Sequence, residues 1–449
     1  MASALWEDLV ARAESRIDRN DYMRYFPIIC LPRPTPSEDP LADIETFDGP
    51  GPWDRTLLDV EVEGYMDAAS SQGRRQRRKV VAFSSNDYLN LGSHPAIRKA
   101  AAKAALVYGM GPRAAPTTCG HTDYHRLLEN TLAEMVKKEA SVVTPTGFAA
   151  NTAFLAALGN IVHLTAAGKR PSKHEKISIF SDALNHASII DGLRLVERHQ
   201  QADIFVYRHN DMSHLDQLLS NCTVERKVVY TDSLFSMEGD FAPMRELVEL
   251  RKKHGFLLVI DEAHTILTCG KNGGGIGELY GVEDHVDICI GTLSKAVGCL
   301  GGYIACSKKW RKLIHFTGRP FIFTTAAPLP VIAACYAALA VAKKEVWRRQ
   351  AMERNVQLFS ALTKLPAPSP IISLVVGTER AALHASKHML ECGFHVTAIR
   401  PPAVSPNSCR LRVTLTAAHS PEEIRRLVVT LSQCIPAIKG AIHEIAGRL

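Results

Sequence analysis

From about Val80 onward the chain alternates between two hydrophobic periods. Short β-branched, apolar runs at 141–143, 177–180, 204–207, 228–231, 256–260, 286–290 and 303–306 predict strands. Between them, apolar residues recur at helical spacing, as at 125–138, 186–199 and 243–254. Repeated strand, helix, strand units of this kind predict an α/β fold with a large, doubly wound, mostly parallel sheet, in which ligands collect beyond the strand C-termini. Before this region, Trp6, Leu9, Val10, Ala13 and Ile17 are spaced as on one face of a helix over 6–20, and a Pro-rich, acidic arm follows at 31–53. After Pro328 and Pro330 the pattern gives a long helix over 331–350, strands at 371–376 and 411–415, and two further helices. That predicts a smaller C-terminal α+β domain, and three segments in all: an arm (1–79), a large domain (80–327) and a small one (328–449).

Bulk properties narrow the class. A length of 449 residues exceeds one ordinary core, and 46% hydrophobic with 22% charged residues is a normal globular composition. The formal charge of +7 is concentrated at Arg74-Arg75-Gln76-Arg77-Arg78-Lys79. This run has no interleaved aromatics and precedes a strand, so it reads as a solvated loop and not as a nucleic-acid site. Eleven cysteines without any Cys-x-x-Cys pair argue against disulfides and against a metal site, and for a reducing compartment. Glu7 and Asp8 stand where a targeting peptide is basic or apolar, and the apolar run 331–342 is too short to span a bilayer. The expectation is a non-membrane protein of the cytosol. The final Gly447-Arg448-Leu449 is faintly similar to a peroxisomal Ser-Lys-Leu signal, which keeps that compartment as an alternative.

The chemistry concentrates where strands stop. Leu258-Val259-Ile260-Asp261-Glu262-Ala263-His264 and Gly291-Thr292-Leu293-Ser294-Lys295 each run from apolar to ionisable or hydroxyl groups, bringing an acid, an imidazole and an amine to one sheet edge. Singly, Asp261 reads as a helix cap and Lys295 as a solvated lysine. Together they suit pyridoxal 5'-phosphate (PLP), which needs an amine for the Schiff base, a carboxylate at its ring nitrogen and donors for its phosphate. Thr146-Gly147-Phe148 follows a strand and opens a helix, so the amides of Gly147 and Phe148 can meet a phosphate, with the Thr292 hydroxyl assisting. His264 suits the ring hydroxyl, and His186, in Asn185-His186-Ala187-Ser188, is placed to stack on the ring or simply to begin a helix. Arg412 and Arg400 flank a C-terminal strand pair; either is a surface ion pair or a bidentate site for a substrate carboxylate.

These segments, with Phe83-Ser84-Ser85-Asn86-Asp87-Tyr88-Leu89, Leu234-Phe235-Ser236-Met237-Glu238-Gly239-Asp240, Thr397 to Pro402 and Arg410 to His419, resemble the α-oxoamine synthase family of PLP enzymes from Trp6 to about Leu431. The resemblance implies fold type I, aspartate aminotransferase-like, and a homodimer with shared active sites. It implies Lys295 as the Schiff-base lysine and α-proton base, Asp261 at the ring nitrogen and His186 stacked on the ring. Ser236 and His264 would lie at the ring hydroxyl, Gly147, Phe148 and Thr292 at the phosphate, and Thr324 or Thr325 at the partner's phosphate. Arg412 with Asn86 would hold the amino-acid carboxylate, with Arg400, Ala403 and Arg24 on the substrate side. The segment around Arg400 is similar to the branch that condenses L-alanine with pimeloyl-CoA or another pimeloyl thioester in biotin biosynthesis. Serine palmitoyltransferase, 5-aminolevulinate synthase and glycine C-acetyltransferase chemistry, or a non-catalytic paralogue, are the rival readings.

The chain departs from the family pattern at six positions. Asn90 replaces a usual Gly, Ala114-Ala115 a Gly-Ser, His121 a Tyr, Thr265 a Gly and Ala403 a Thr. None removes a group that bonds PLP. A non-Gly residue at a left-handed position costs about 1 kcal/mol or more, so an altered substrate pocket is expected.

Overall fold

The computed structural model describes residues 2–18, 28–63, 77–166, 175–435 and 438. In chain order the elements begin with α1 (Ala2–Asp18), β1 (Asp59–Glu63), β2 (Arg77–Ala82), α2 (Pro95–Tyr108) and α3 (Asp123–Met135). Next come β3 (Ala140–Thr144), α4 (Gly147–Thr165), β4 (Ile177–Asp182), α5 (Ala187–Arg198), β5 (Ala202–Tyr207), α6 (Met212–Asn221) and β6 (Lys227–Asp232). Then follow α7 (Met244–His254), β7 (Leu257–Asp261), α8 (Ile276–Tyr280), β8 (Ile288–Thr292), β9 (Gly302–Cys306), α9 (Lys308–Thr317), α10 (Arg319–Ile322) and α11 (Leu329–Lys344). The chain closes with α12 (Trp347–Thr363), β10 (Ile371–Gly377), α13 (Glu379–Glu391), β11 (Phe394–His395), β12 (Thr397–Ile399), β13 (Cys409–Thr414) and α14 (Pro421–Cys434).

Two compact units emerge, and neither is a continuous stretch of chain. One comprises 1–45, 96–235 and 242–343; the other comprises 46–95, 236–241 and 344–449. The linear division at 79 and 327 is therefore corrected. Residues 46–95 join the C-terminal segment because β2 pairs with β1 on one side and with β11 on the other, Val81 facing Phe394. No local pattern in the sequence announces a pairing between positions so far apart.

The first unit is built on a seven-stranded sheet of order β3-β9-β8-β7-β6-β4-β5. All neighbours run parallel except β9, which is antiparallel to both β3 and β8. Six of its strands consequently end at the same edge. The sheet is apolar because helices cover it: Val142, Ile179, Val228, Val259, Ile290 and Ile304 are buried with Phe154, Leu158 and Ile161 of α4. By length and composition α4 is apolar enough to cross a bilayer, but it is a core helix here, eleven of its residues being buried. α1 adds Trp6, Leu9, Val10 and Ala13 to the same core, and Trp6 meets Trp310 with ring centroids 6.1 Å apart.

The second unit carries two three-stranded sheets, β1-β2-β11 and β10-β13-β12. Its core joins Phe83, Phe359, Leu374, Met389, Phe394, Leu411, Val413 and Leu427. The single helix expected over 331–350 is two helices, broken at Glu345 and Val346. A buried ionic cluster sits at the break: Glu345 accepts from the Phe47 amide (2.7 Å), His94 Nε2 (3.2 Å) and Arg348 Nε (2.6 Å), and Arg348 also reaches Asp54 (2.6 Å).

Candidate active site

The shared strand edge of the first unit gathers the residues singled out above. β7 ends at Asp261 and runs on to His264; β8 ends at Thr292 and runs on to Lys295. Lys295 Nζ lies 2.8 Å from His264 Nε2, an amine held by an imidazole. Asp261 is nearly buried; its Oδ1 accepts from the Ala263 amide (2.8 Å) and its Oδ2 from Asn151 Nδ2 (2.7 Å). A buried carboxylate with two fixed donors is held as an acceptor.

The phosphate end is equally well formed. β3 delivers the chain to α4, whose cap residue Thr146 accepts from the Ala149 amide (3.0 Å). The amides of Gly147 and Phe148 lie in the first turn, where no helical carbonyl serves them, so they suit an anion at the positive end of the helix dipole. The approach is tight: a Cβ on Gly147 would meet Thr292 Cβ at 3.0 Å, and one on Gly302 would meet the Thr146 carbonyl at 2.4 Å. Thr292 Oγ1 donates to the Gly301 carbonyl (3.0 Å) and contacts Ser294 Oγ (2.8 Å), which orients it at this turn. Amine, imidazole, carboxylate and anion cradle on one edge match the ends of PLP.

His186 opens α5 beside them. Its backbone N–H donates to Asp232 (3.1 Å), at the end of β6, and its Nδ1 is 2.8 Å from Ser188 Oγ. Partial burial lowers the pKa of the His186 ring, with Lys295 adding to the effect and Asp261 opposing it. Burial, and then the Asp261 charge, push the Asp232 carboxyl well above the usual range. Asp232, Asn151, Tyr230 and Ser188 were given no role from the sequence. Asn151 touches Ser188 of α5, Tyr230 of β6 and Asp261 of β7, so only the fold reveals it.

In the second unit Arg412 sits on β13 between β10 and β12. Its Nη1 and Nη2 both donate to Asn86 Oδ1 (3.1 Å each), and its Nε donates to the Ser236 carbonyl (2.6 Å). These are neutral acceptors. No carboxylate among the described residues pairs with Arg412, which leaves its charge for an anion. The Ser236 carbonyl is thus seen with Arg412.

Arg400 does not join Arg412. It is exposed just past the end of β12 and pairs with Glu379, the ordinary surface ion pair. Ala403 is exposed in the following turn, Thr324 is half-buried and Thr325 exposed after α10, and Arg24 lies outside the described residues. The departures are absorbed rather than strained. Asn90 does occupy a left-handed backbone position (φ 53°), and its side chain donates to the Asp54 carbonyl (2.9 Å). Asn is the residue after Gly best suited to that region. Ala114 and Ala115 have no positive φ, His121 contacts Glu129 (3.1 Å), and the Thr265 hydroxyl contacts Ser233 (2.7 Å) and Glu262.

A fold type I sheet with this lysine, aspartate and anion cradle defines a PLP-dependent enzyme. The chain belongs to the aminotransferase class I and II family, which it matches over residues 78–431. It is 51% identical to 8-amino-7-oxononanoate synthase of Arabidopsis thaliana, over 99% of this chain and 98% of that one. It is 39% identical to the enzyme of the same name from Anaeromyxobacter dehalogenans, over 82% and 90%. Among solved structures, Sphingomonas wittichii serine palmitoyltransferase superposes with a TM-score of 0.72 at 29% identity, covering 81% of this chain and 89% of that one. The 8-amino-7-oxononanoate synthase of Francisella tularensis gives 0.65 at 25%, covering 79% and 97%. The resemblance to α-oxoamine synthases extends over nearly the whole chain.

Proposed function

We infer that this chain is a PLP-dependent acyltransferase that condenses L-alanine with pimeloyl-CoA, or another pimeloyl thioester, giving 8-amino-7-oxononanoate, CoA and carbon dioxide in biotin biosynthesis. The observation that carries the reading is the Lys295 amine 2.8 Å from His264 on the sheet edge that also bears Asp261; the full-length likeness to 8-amino-7-oxononanoate synthases supplies the substrates. When bound, PLP supplies an electron-poor ring that accepts the electron pair of a bond broken at the amino acid's α-carbon.

The chain's residues do the rest. Asp261 holds a proton on the ring nitrogen, and the amides of Gly147 and Phe148 with Thr292 grip the phosphate. Lys295 would hold the cofactor and, once free, would take the α-proton on Nζ, with His264 beside it fixing where that amine points. By the family likeness, Arg412, steadied by Asn86 and the Ser236 carbonyl, would bind the alanine carboxylate and so orient the amino acid. Further parts of the reading rest on the family likeness: a homodimer in which Thr324 or Thr325 meets the partner's phosphate, and roles for Ser236 at the ring hydroxyl and for Arg24 at the acyl substrate. Exposed Leu106, Met110 and Phe323 support an association surface on the first unit. Free thiols at all eleven cysteines support a reducing compartment, the cytosol or a peroxisome.

The test is product analysis by mass with alanine, glycine and serine, each paired with a panel of acyl thioesters. The expected product is 8-amino-7-oxononanoate from alanine and a pimeloyl thioester. Preferred turnover of serine or glycine would replace this reading with that of a sister enzyme.

A further inference from the structure

Behind Asp261 runs a hydrogen-bonded network whose proton positions follow from counting. A carboxylate only accepts, so the Asn151 group facing Asp261 Oδ2 (2.7 Å) is its NH2. The other hydrogen of that NH2 goes to Ser188 Oγ (2.8 Å), and the Asn151 oxygen then accepts from the Tyr230 hydroxyl. Ser188 Oγ, already accepting, has its own hydrogen left for His186 Nδ1 (2.8 Å). The Ser188 amide points at the same nitrogen (3.2 Å). A ring nitrogen met by two donors carries no hydrogen. Asn151, Ser188 and Tyr230 are each no more than 1% exposed, so water does not compete for these contacts.

We propose that Asn151 is a positioning residue that sets two groups at once: it holds Asp261 as an ionised acceptor and, through Ser188, fixes His186 as the neutral ring protonated at Nε2. His186 then offers the substrate a donor at Nε2 and does not accept a proton there. Asp261, with no hydrogen to give, requires the NH2 on its side, and the Tyr230 hydroxyl completes the arrangement by donating to the amide oxygen. Burial keeps that phenol protonated, its pKa being raised well above the ordinary value. The same burial effect that lowers the His186 pKa favours the neutral ring. The proposal rests on the reading that this edge holds PLP, but its first readout does not need turnover.

The tautomer is read by nitrogen NMR of holoprotein carrying isotope-labelled histidine, with the His186 signals assigned by their loss in His186→Asn. The parent is expected to show Nε2 protonated and Nδ1 bare at neutral pH. Ser188→Ala removes one of the two donors and is expected to mix the tautomers while changing PLP retention, measured by equilibrium dialysis, less than about twofold. Asn151→Ala is expected to mix the tautomers and also weaken retention about tenfold or more, because Asp261 loses a donor. Tyr230→Phe keeps the packing and leaves the Asn151 oxygen without its donor, loosening the amide; it is expected to show both effects at smaller size, and it carries the test if Asn151→Ala does not fold. A parent protonated at Nδ1, or Asn151→Ala and Tyr230→Phe proteins with parental tautomer and parental retention, would overturn the proposal. A parent that binds no PLP overturns the functional reading instead, and the tautomer result still decides the network.

Discussion

Replacing Asp261 by Asn changes one atom and reverses the logic of its surroundings. Both carboxylate oxygens accept from donors, the Ala263 amide at 2.8 Å and Asn151 at 2.7 Å. The new amide has one oxygen and one NH2, so whichever way it turns, a donor faces a donor. Asn151 can yield only by turning over itself, which withdraws its hydrogen from Ser188 and sets its NH2 against the Tyr230 hydroxyl. One buried hydrogen bond lost with a donor left unmatched costs about 1–3 kcal/mol, or roughly 5- to 150-fold in any equilibrium that depends on the site. The charge that keeps the ring nitrogen protonated is lost as well, a separate loss borne by the chemistry. PLP retention by dialysis is therefore expected to weaken at least about fivefold. Exchange of the alanine α-proton in deuterated water, followed by NMR, should slow by about 10²-fold or more. An Asp261→Asn protein that exchanges this proton at the parental rate refutes the assignment.

Other residues make separable predictions. Lys295→Ala should lower kcat at least about 10²-fold with the melting temperature little changed, because a half-buried side chain at a strand end contributes little to the core; percent-level turnover contradicts its role as base. Arg412→Lys should raise KM for alanine about tenfold or more while PLP retention stays parental, since a point charge does not reproduce a bidentate fork. Arg348→Ala removes the guanidinium shared by the buried Asp54 and Glu345, leaving Asp54 without its cation and Glu345 with only the Phe47 amide and His94, and should destabilise the protein by about 3–5 kcal/mol in urea unfolding. His419 is buried against Phe83, and burial lowers its pKa from 6.5 to about 4. The unfolded chain binds that proton first as pH falls, so stability present above about pH 6.5 is lost toward pH 4, at up to about 1.4 kcal/mol per pH unit. His419→Gln should flatten that pH slope by roughly one proton; an unchanged slope counts against the assignment.

Strand ends were legible in the sequence because β-branched runs stop abruptly there. Asp261, His264, Thr292 and Lys295 are read from that alone; β7 and β8 run one and two residues past the expected ends at 260 and 290, to Asp261 and Thr292. Arg412 was legible as one of two arginines flanking a strand pair. Local sequence does not tell a central strand from its margin, so Arg400, beyond the last residue of β12, looked equivalent and is a surface ion pair with Glu379. Asn151, Ser188 and Tyr230 stayed silent because each acts through a partner on another element, 37 to 110 positions away for the two Asn151 amide contacts. The cluster at Glu345 and the joining of 46–95 to the C-terminal segment were invisible for the same reason. The expected strain at Asn90 was correctly located, since φ is positive there, but its side chain's bond to the Asp54 carbonyl offsets part of the penalty.

The proposed chemistry stands or falls with Lys295 as the residue that carries the cofactor. Borohydride reduction of the holoprotein followed by peptide mass mapping measures this directly. One pyridoxyl phosphate per chain is expected, on the peptide containing Lys295 and on that lysine. A label on another lysine, or none on a protein that has taken up PLP, contradicts it.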